Sequence, residues 1–389
     1  MAGDSQVFVN QKREGNPMGV ALHTAMFGGT RCGKTTLLVQ MMSTIRKQLS
    51  DANMDLRIAQ KTTEAFSKAR SELSELVTRV YKGEPIGSIG VAGSTEVRGY
   101  GIGIDNSDGV TAAELIFHDY PGEYLEKLTK EESGSAELRA RLSNANALLI
   151  AVNTPILMAS LNREPEWHDL HLYSNYPDVL NNVFTEYDSV PNLVLFCPIK
   201  SERWLNDDPR GRDLLTAVEQ GYRKPLRTLR RDHPNTRVML IPVATCGSIE
   251  FESFETYGPP GTPLTINNVI EKFRPTAGGG PPGHDRLHPK FNDQPLRHLM
   301  KQVLETVDYQ HLVKAYSDSM ATRKTFEKKA DTSLQVATNW LADKWTKADL
   351  PKIGFVEDFI DEWGGKADYQ RAAGTVAAEA TAKPPIYVL

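Results

Sequence analysis

The chain has 389 residues, 40% hydrophobic and 24% charged, with a formal net charge of −4. This is the composition of a folded protein larger than one average domain, and its slight acidity argues against a general nucleic-acid coat, making nucleic acid an unlikely partner. Its three cysteines, Cys32, Cys197 and Cys246, lie far apart without CxxC spacing, which excludes a disulfide scaffold or a Cys-rich zinc centre and fits a reducing cytoplasm.

The N-terminal segment, 1–18, contains no apolar core of signal-peptide length. A short apolar strand, "GVALHTAMFGG", opens a domain predicted over 19–310, and "KTTLLVQMMSTIRKQL" (34–49) follows with apolar residues at helical spacing. A second helix is predicted over 62–83. The stretch 95–120 alternates around "NSDG", the signal of a hairpin. Then come the buried strand "ANALLIAVN" (145–153), a helix near 176–187, the strand "NLVLFCPI" (192–199), a helix near 212–231 and "TRVMLIPVA" (236–244). The apolar runs are strand-sized, well short of the roughly 20 residues of a membrane span. Their alternation with helices predicts an α/β fold: a mostly parallel sheet covered on both faces, in three layers.

From 256 to 295 the composition turns rich in proline and glycine, "YGPPGTP" and "TAGGGPPGHDRLHP", and reads as a long or disordered loop. Helical periodicity returns from Leu296, predicting a closing helix and then a C-terminal helical extension over 311–370. The tail, 371–389, is low in complexity and reads as mobile.

Gly28-x4-Gly33-Lys34-Thr35, between a predicted strand and helix, matches the phosphate-loop pattern in full. Glycines let backbone N–H groups wrap the α- and β-phosphates, and the helix N-terminus adds its positive dipole. Gly28, Gly29, Thr30, Arg31, Cys32, Gly33, Lys34, Thr35 and Thr36 are the expected phosphate-binding set. Lys34 is expected to neutralise the β/γ-phosphates, and Thr35 to offer its hydroxyl to Mg²⁺. Farther on, "LIFHDYPGEYLEKL" places Asp119 at the end of an apolar strand with Gly122 at D-x-x-G spacing. An acid there holds the Mg²⁺ water shell, and the glycine lets a peptide N–H meet the γ-phosphate.

Together these motifs resemble the Ras-like, translation-factor-related class of P-loop GTPases, and "DYPGE" is most similar to the bacterial YcjX-like family and the double-GTPase proteins of conflict systems. The resemblance covers roughly residues 20–310 as an order of elements, with only the two short motifs specific. It implies GTP/GDP and Mg²⁺ as cofactors, with Thr35 and Asp119 serving the metal and Gly122 sensing the γ-phosphate. A threonine closing over Mg²⁺ is implied between the first helix and Asp119. Thr95 is the best placed, while Thr62 and Thr63 read as a helix N-cap.

The class reads guanine with N-K-x-D, where this chain has Ile199-Lys200-Ser201-Glu202. Lys200 is kept, and Glu202 is expected either to accept guanine N1–H and N2–H or to be a plain loop residue. "ATCGS" (244–248) falls where the class presents N–H groups to guanine O6. Glu123 stands where Ras-like enzymes place the water-orienting glutamine. Arg31 resembles the phosphate-loop arginine of guanylate-binding-type GTPases and is expected to act as a cis arginine finger or to face solvent. The implied catalytic set is thus Lys34, Arg31 and Glu123.

His168-x2-His171 and His284-x3-His288 have metal-like spacing, but the second pair lies in the proline- and glycine-rich loop, where no helix would align the rings, and neither cysteines nor an H-E-x-x-H arrangement supports a metal. The basic run 223–232 reads as the solvated face of a helix. The leading expectation is a cytoplasmic GTPase switch coupled to a protein partner through the helical extension or tail, and the resemblance points to bacterial stress or antiviral defence. An ATPase on the same fold and a non-hydrolysing nucleotide-gated scaffold stay open as alternatives.

Overall fold

The computed structural model describes residues 20–29, 32–51, 55–84, 98–105, 111–120, 142, 144–161, 176–186, 190–256, 259, 269–276, 287–299, 302 and 387–389. The expected N-terminal segment 1–18 and helical extension 311–370 lie outside these residues.

In chain order the elements are β1 (Val20–Phe27), α1 (Lys34–Asp51), β2 (Asp55–Ile58), α2 (Gln60–Lys82), β3 (Arg98–Asp105), β4 (Thr111–Asp119), β5 (Ala147–Asn153), α3 (Thr154–Leu161), α4 (Tyr176–Glu186), β6 (Leu193–Ile199), α5 (Glu202–Asp207), α6 (Arg212–Gly221), α7 (Arg223–Asp232), β7 (Arg237–Leu240), β8 (Ile249–Thr256), β9 (Val269–Pro275) and β10 (Tyr387–Val388). Eight strands form one sheet in the order β10-β7-β6-β5-β1-β4-β3-β2. β4, β1, β5, β6 and β7 run parallel, with antiparallel strands at both edges. β1 pairs with β4 on one side and β5 on the other. The order therefore reverses at β1, where open α/β sheets form a crevice beyond the strands' carboxyl ends.

The strand sequences explain the layers. Leu149 and Ala151 of β5 and Leu195 and Cys197 of β6 join one apolar cluster with Leu37, Leu38 and Met41 of α1. Leu148, Ile150, Val152, Val194 and Phe196, alternating with them, join the other with Val179, Leu180, Val218 and Leu229. Period-two alternation with apolar residues in both phases requires cover on both faces, and helices supply it.

Three expectations need correction, and one strand was not foreseen. The helix near 212–231 is two helices, parted at Tyr222 (φ −109, ψ 25), because the Pro225 ring opposes the Gly221 carbonyl four residues back. Short β2, an edge strand with Leu56 buried, had no counterpart in the sequence reading. The proline- and glycine-rich stretch holds β9, which pairs antiparallel with β8 as a separate ribbon. Phe273 of β9 meets Phe251 edge-on, and Trp204 of α5 stacks on Phe251. Finally, the tail is not loose at its end: Tyr387–Val388 pair with β7, and Tyr387 and Leu389 pack on the core, which offsets the cost of ordering them.

Candidate functional site

At the carboxyl end of β1 the chain turns through the glycine loop into α1. A Cβ on Gly28 would lie 2.5 Å from Cys32 Sγ and 2.8 Å from the Ala151 carbonyl oxygen, so the loop reaches β5 only without a side chain there. Gly33 takes φ +104, and a Cβ on it would lie 3.0 Å from Ile199 Cδ1. Within the turn, Cys32 N–H donates to the Gly29 carbonyl at 3.2 Å. Lys34, 7% exposed, directs its ammonium across the loop and donates to the carbonyls of Gly28 (3.0 Å) and Gly29 (3.5 Å). An ammonium has three N–H groups, so donor capacity remains.

Thr35 and Asp119, far apart in sequence, meet here. The Thr35 hydroxyl donates to Asp119 Oδ2 at 2.9 Å. Asp119 is 1% exposed, and its Oδ1 has no hydrogen-bond partner among the described residues. Burial holds the carboxyl pKa above its ordinary value, opposed by Lys34, the Thr35 hydroxyl and Arg98. An anionic oxygen this desolvated needs compensation. A hard cation with oxygen ligands fits it, and Mg²⁺ binds through few protein oxygens while keeping its waters. Thr36 follows on the same turn of α1.

The second part of the site lies at the carboxyl ends of β5 and β6. Lys200 has φ +57, uncommon for a side chain that large. Its ammonium pairs with Glu271 of β9, which also accepts from Asn153 Nδ2 at 2.7 Å. Glu202, 3% exposed, turns inward, where its Oε1 accepts from the N–H groups of Cys246 (2.7 Å) and Gly247 (3.2 Å) and from the Thr245 hydroxyl (3.4 Å). Burial raises its pKa, and these hydrogen bonds oppose the shift. Oε1 of Glu202 is thus turned toward the 244–248 loop.

No protein-family model matches the chain and no curated protein does. Among solved structures it is similar to the Saccharomyces cerevisiae Ski7 GTPase-like domain bound to GTP, at 12% identity and TM-score 0.34, covering 58% of this chain and 42% of that one. It is also similar to the same domain bound to GDP and inorganic phosphate, at 14% identity and TM-score 0.31, covering 58% and 43%. This chain thus aligns with less than half of those chains. The assignment to a P-loop NTPase-like α/β fold stands on its own strand order and loop.

Of the expected site residues, Gly28, Gly29, Cys32, Gly33, Lys34, Thr35, Thr36 and Asp119 gather around β1 and α1, and Lys200 and Glu202 sit beside them at the end of β6. Thr30, Arg31, Thr95, Gly122 and Glu123 lie outside the described residues, as do His168, His171 and His284. Among the described residues no group of three or more His, Cys, Asp or Glu is placed to hold a metal, and no helix is long and apolar enough to cross a membrane.

Sequence reasoning missed three groups. Arg98 lies opposite Asp119 in the β3–β4 register; counting back from the "NSDG" turn reaches it. Asn153 ends a buried strand at the crevice edge, a position that could have been marked. Glu271 carries no local signal.

Proposed function

We propose that the chain is a Mg²⁺-dependent guanine-nucleotide-binding protein that hydrolyses GTP and works as a molecular switch. The observation that carries this is the convergence of Lys34, Thr35 and Asp119 at the phosphate loop, with a buried carboxylate oxygen, beside the threonine hydroxyl, that has no hydrogen-bond partner among the described residues. Thr35 and Asp119 would hold Mg²⁺, which when bound neutralises charge on the β- and γ-phosphates. Lys34 supplies a fixed cation, and the loop supplies N–H donors with α1's dipole behind them. Gly122, Thr95, Glu123 and Arg31 complete the reading as γ-phosphate sensor, Mg²⁺-closing threonine, water-orienting residue and arginine finger.

Base choice rests on Lys200, Glu202 and the 244–248 loop. Two observations favour a second reading, an ATPase: Ile199 replaces a polar residue, and Glu202 spends one oxygen on its own fold. The "DYPGE" wording supports a bacterial stress or anti-phage setting in the cytoplasm, with a protein partner engaged through 311–370 or the tail.

The test is competition of a fluorescent GDP analogue by GTP and by ATP, with and without Mg²⁺, on the full chain and on Lys34→Ala. GTP is expected to compete at least tenfold better than ATP, and Lys34→Ala to lose several kcal/mol of binding because a desolvated phosphate charge loses its partner. Equal competition favours the ATPase. Wild-type affinity in Lys34→Ala removes the nucleotide reading.

A further inference from the structure

Lys200 and Glu271 form an ion pair in which both side chains are 17% exposed. Neither end of it is placed by ordinary means. Lys200 holds a left-handed backbone, φ +57, which side chains adopt only when their surroundings impose it. Its Cε lies 3.9 Å from where a Cβ of Gly33 would stand, so the lysine stem runs beside the phosphate loop. Glu271 comes from the β8–β9 ribbon, outside the main sheet. The same carboxylate binds Asn153 at the end of β5 and Lys200 just past the end of β6, joining two neighbouring strands at the crevice.

The ribbon is itself firmly seated. Tyr81 of α2 donates its hydroxyl to the Ser248 carbonyl at 3.1 Å. Asn206, near the end of α5, reaches Glu250 at 3.1 Å, and Arg274 of β9 reaches the other oxygen of Glu250 at 2.9 Å. Leu73, Val77 and Val80 of α2 share an apolar cluster with Ile249 and Phe273. A rigid mount thus holds a carboxylate over the lysine beside the phosphate loop.

We infer that Glu271 is a positioning residue for nucleotide binding: it fixes the Lys200 side chain as the wall on which the nucleoside end of a nucleotide rests once its phosphates occupy the loop. The inference rests on the nucleotide reading above. With one end of the stem set by the backbone and the other by Glu271, the lysine loses little side-chain freedom when a ligand arrives. Without Glu271, a largely buried ammonium loses its partner and turns toward solvent, and the wall goes with it. The ribbon, an apparent insertion in the sequence, is then part of the ligand site.

The experiment is a double-mutant cycle on the full-length protein, read by titration of a fluorescent GDP analogue and by thermal melting. Glu271→Gln is expected to weaken binding about tenfold, the coupling typical of groups in direct contact. Lys200→Met is expected to weaken it comparably, and adding Glu271→Gln to Lys200→Met to change affinity less than twofold further. Glu271→Asp, which keeps the charge on a shorter stem, is expected to recover part of the loss, and it carries the test should Glu271→Gln fail to fold. Glu255→Gln, removing an exposed partner of Lys272 on the same ribbon, is expected to leave binding unchanged. Wild-type affinity in Glu271→Gln, an equal loss with and without Lys200, or the same loss in Glu255→Gln overturns the inference. If wild type binds and Lys34→Ala does not while Glu271→Gln binds as wild type, only this inference fails. If folded wild type binds no nucleotide, the functional reading fails, and this inference with it.

Discussion

Glu202 allows a fold role and a recognition role to be separated by measurement. Its Oε1 takes the N–H of Cys246 at 2.7 Å and of Gly247 at 3.2 Å, and the Thr245 hydroxyl at 3.4 Å. Glu202→Ala strands both N–H groups. At about 1–3 kcal/mol for each unsatisfied buried donor, the loss is about 2–6 kcal/mol, or, at about 2–4 °C per kcal/mol, a fall in Tm of about 4–24 °C for a domain this size. Glu202→Gln keeps an acceptor oxygen for the loop, and neutral bonds of about half the strength replace charged ones. It also removes a carboxylate that burial disfavours, so its net change is about 1 kcal/mol or less.

The sign of the pH dependence follows from the shift. Burial raises the folded-state pKa of Glu202 above its ordinary 4.5, so the folded protein holds this proton more tightly than the unfolded chain does. The carboxylate therefore costs stability progressively as pH rises from about 4.5 through the folded pKa, and the full cost stands above it. Relative to wild type, the Tm of Glu202→Gln should rise across that window, with little change below it. Calorimetry from pH 4 to 7.5 measures this, and the GTP-to-ATP affinity ratio of each variant reads the recognition role. If alanine and glutamine melt alike, the loop-anchoring account is wrong. If the glutamine variant folds normally and keeps its base preference, Glu202 does not select the base.

Asp119→Asn is expected to leave Mg²⁺-free nucleotide affinity nearly intact and to lower the Mg²⁺-dependent increment and turnover at least tenfold, as loss of a partner around a bound metal does; magnesium titration of binding and single-turnover hydrolysis check it, and unchanged magnesium dependence refutes it. Arg31→Ala is expected to slow single-turnover GTP hydrolysis about 10³-fold, roughly 4 kcal/mol, with near-normal affinity. Arg31→Lys is expected to recover only part of that rate, because a point charge lacks the planar fork. Equal rates in all three proteins assign Arg31 to solvent.

The parts of the site that could be read from sequence are those set by local backbone demands. Gly28 must be glycine because Ala151 of β5 stands where a Cβ would go, and Gly33 because its φ is +104. Such demands repeat wherever a strand turns tightly into a helix to hold phosphate, so they leave a fixed spacing behind. Asp119 was legible for a related reason: an acid ending an apolar run has few structural uses. The alternation through β5 and β6 likewise declared a sheet covered twice, since both phases are apolar.

The groups that escaped reading have partners no local pattern specifies. Glu271 is one charge among several on a ribbon whose strands are joined through proline- and glycine-rich chain, and nothing near it in sequence distinguishes it from Glu255 or Lys272. Its partners, Asn153 and Lys200, are 118 and 71 residues away. The C-terminal strand is similar: three residues at the end of a bland tail dock because β7 offers an open edge and the core offers apolar surface. Parallel strands end together at the crevice, so the polar groups placed there must find partners, and the nearest chain in space is seldom the nearest in sequence. A phosphate loop therefore announces itself, while the groups that shape the rest of its crevice emerge only with the fold.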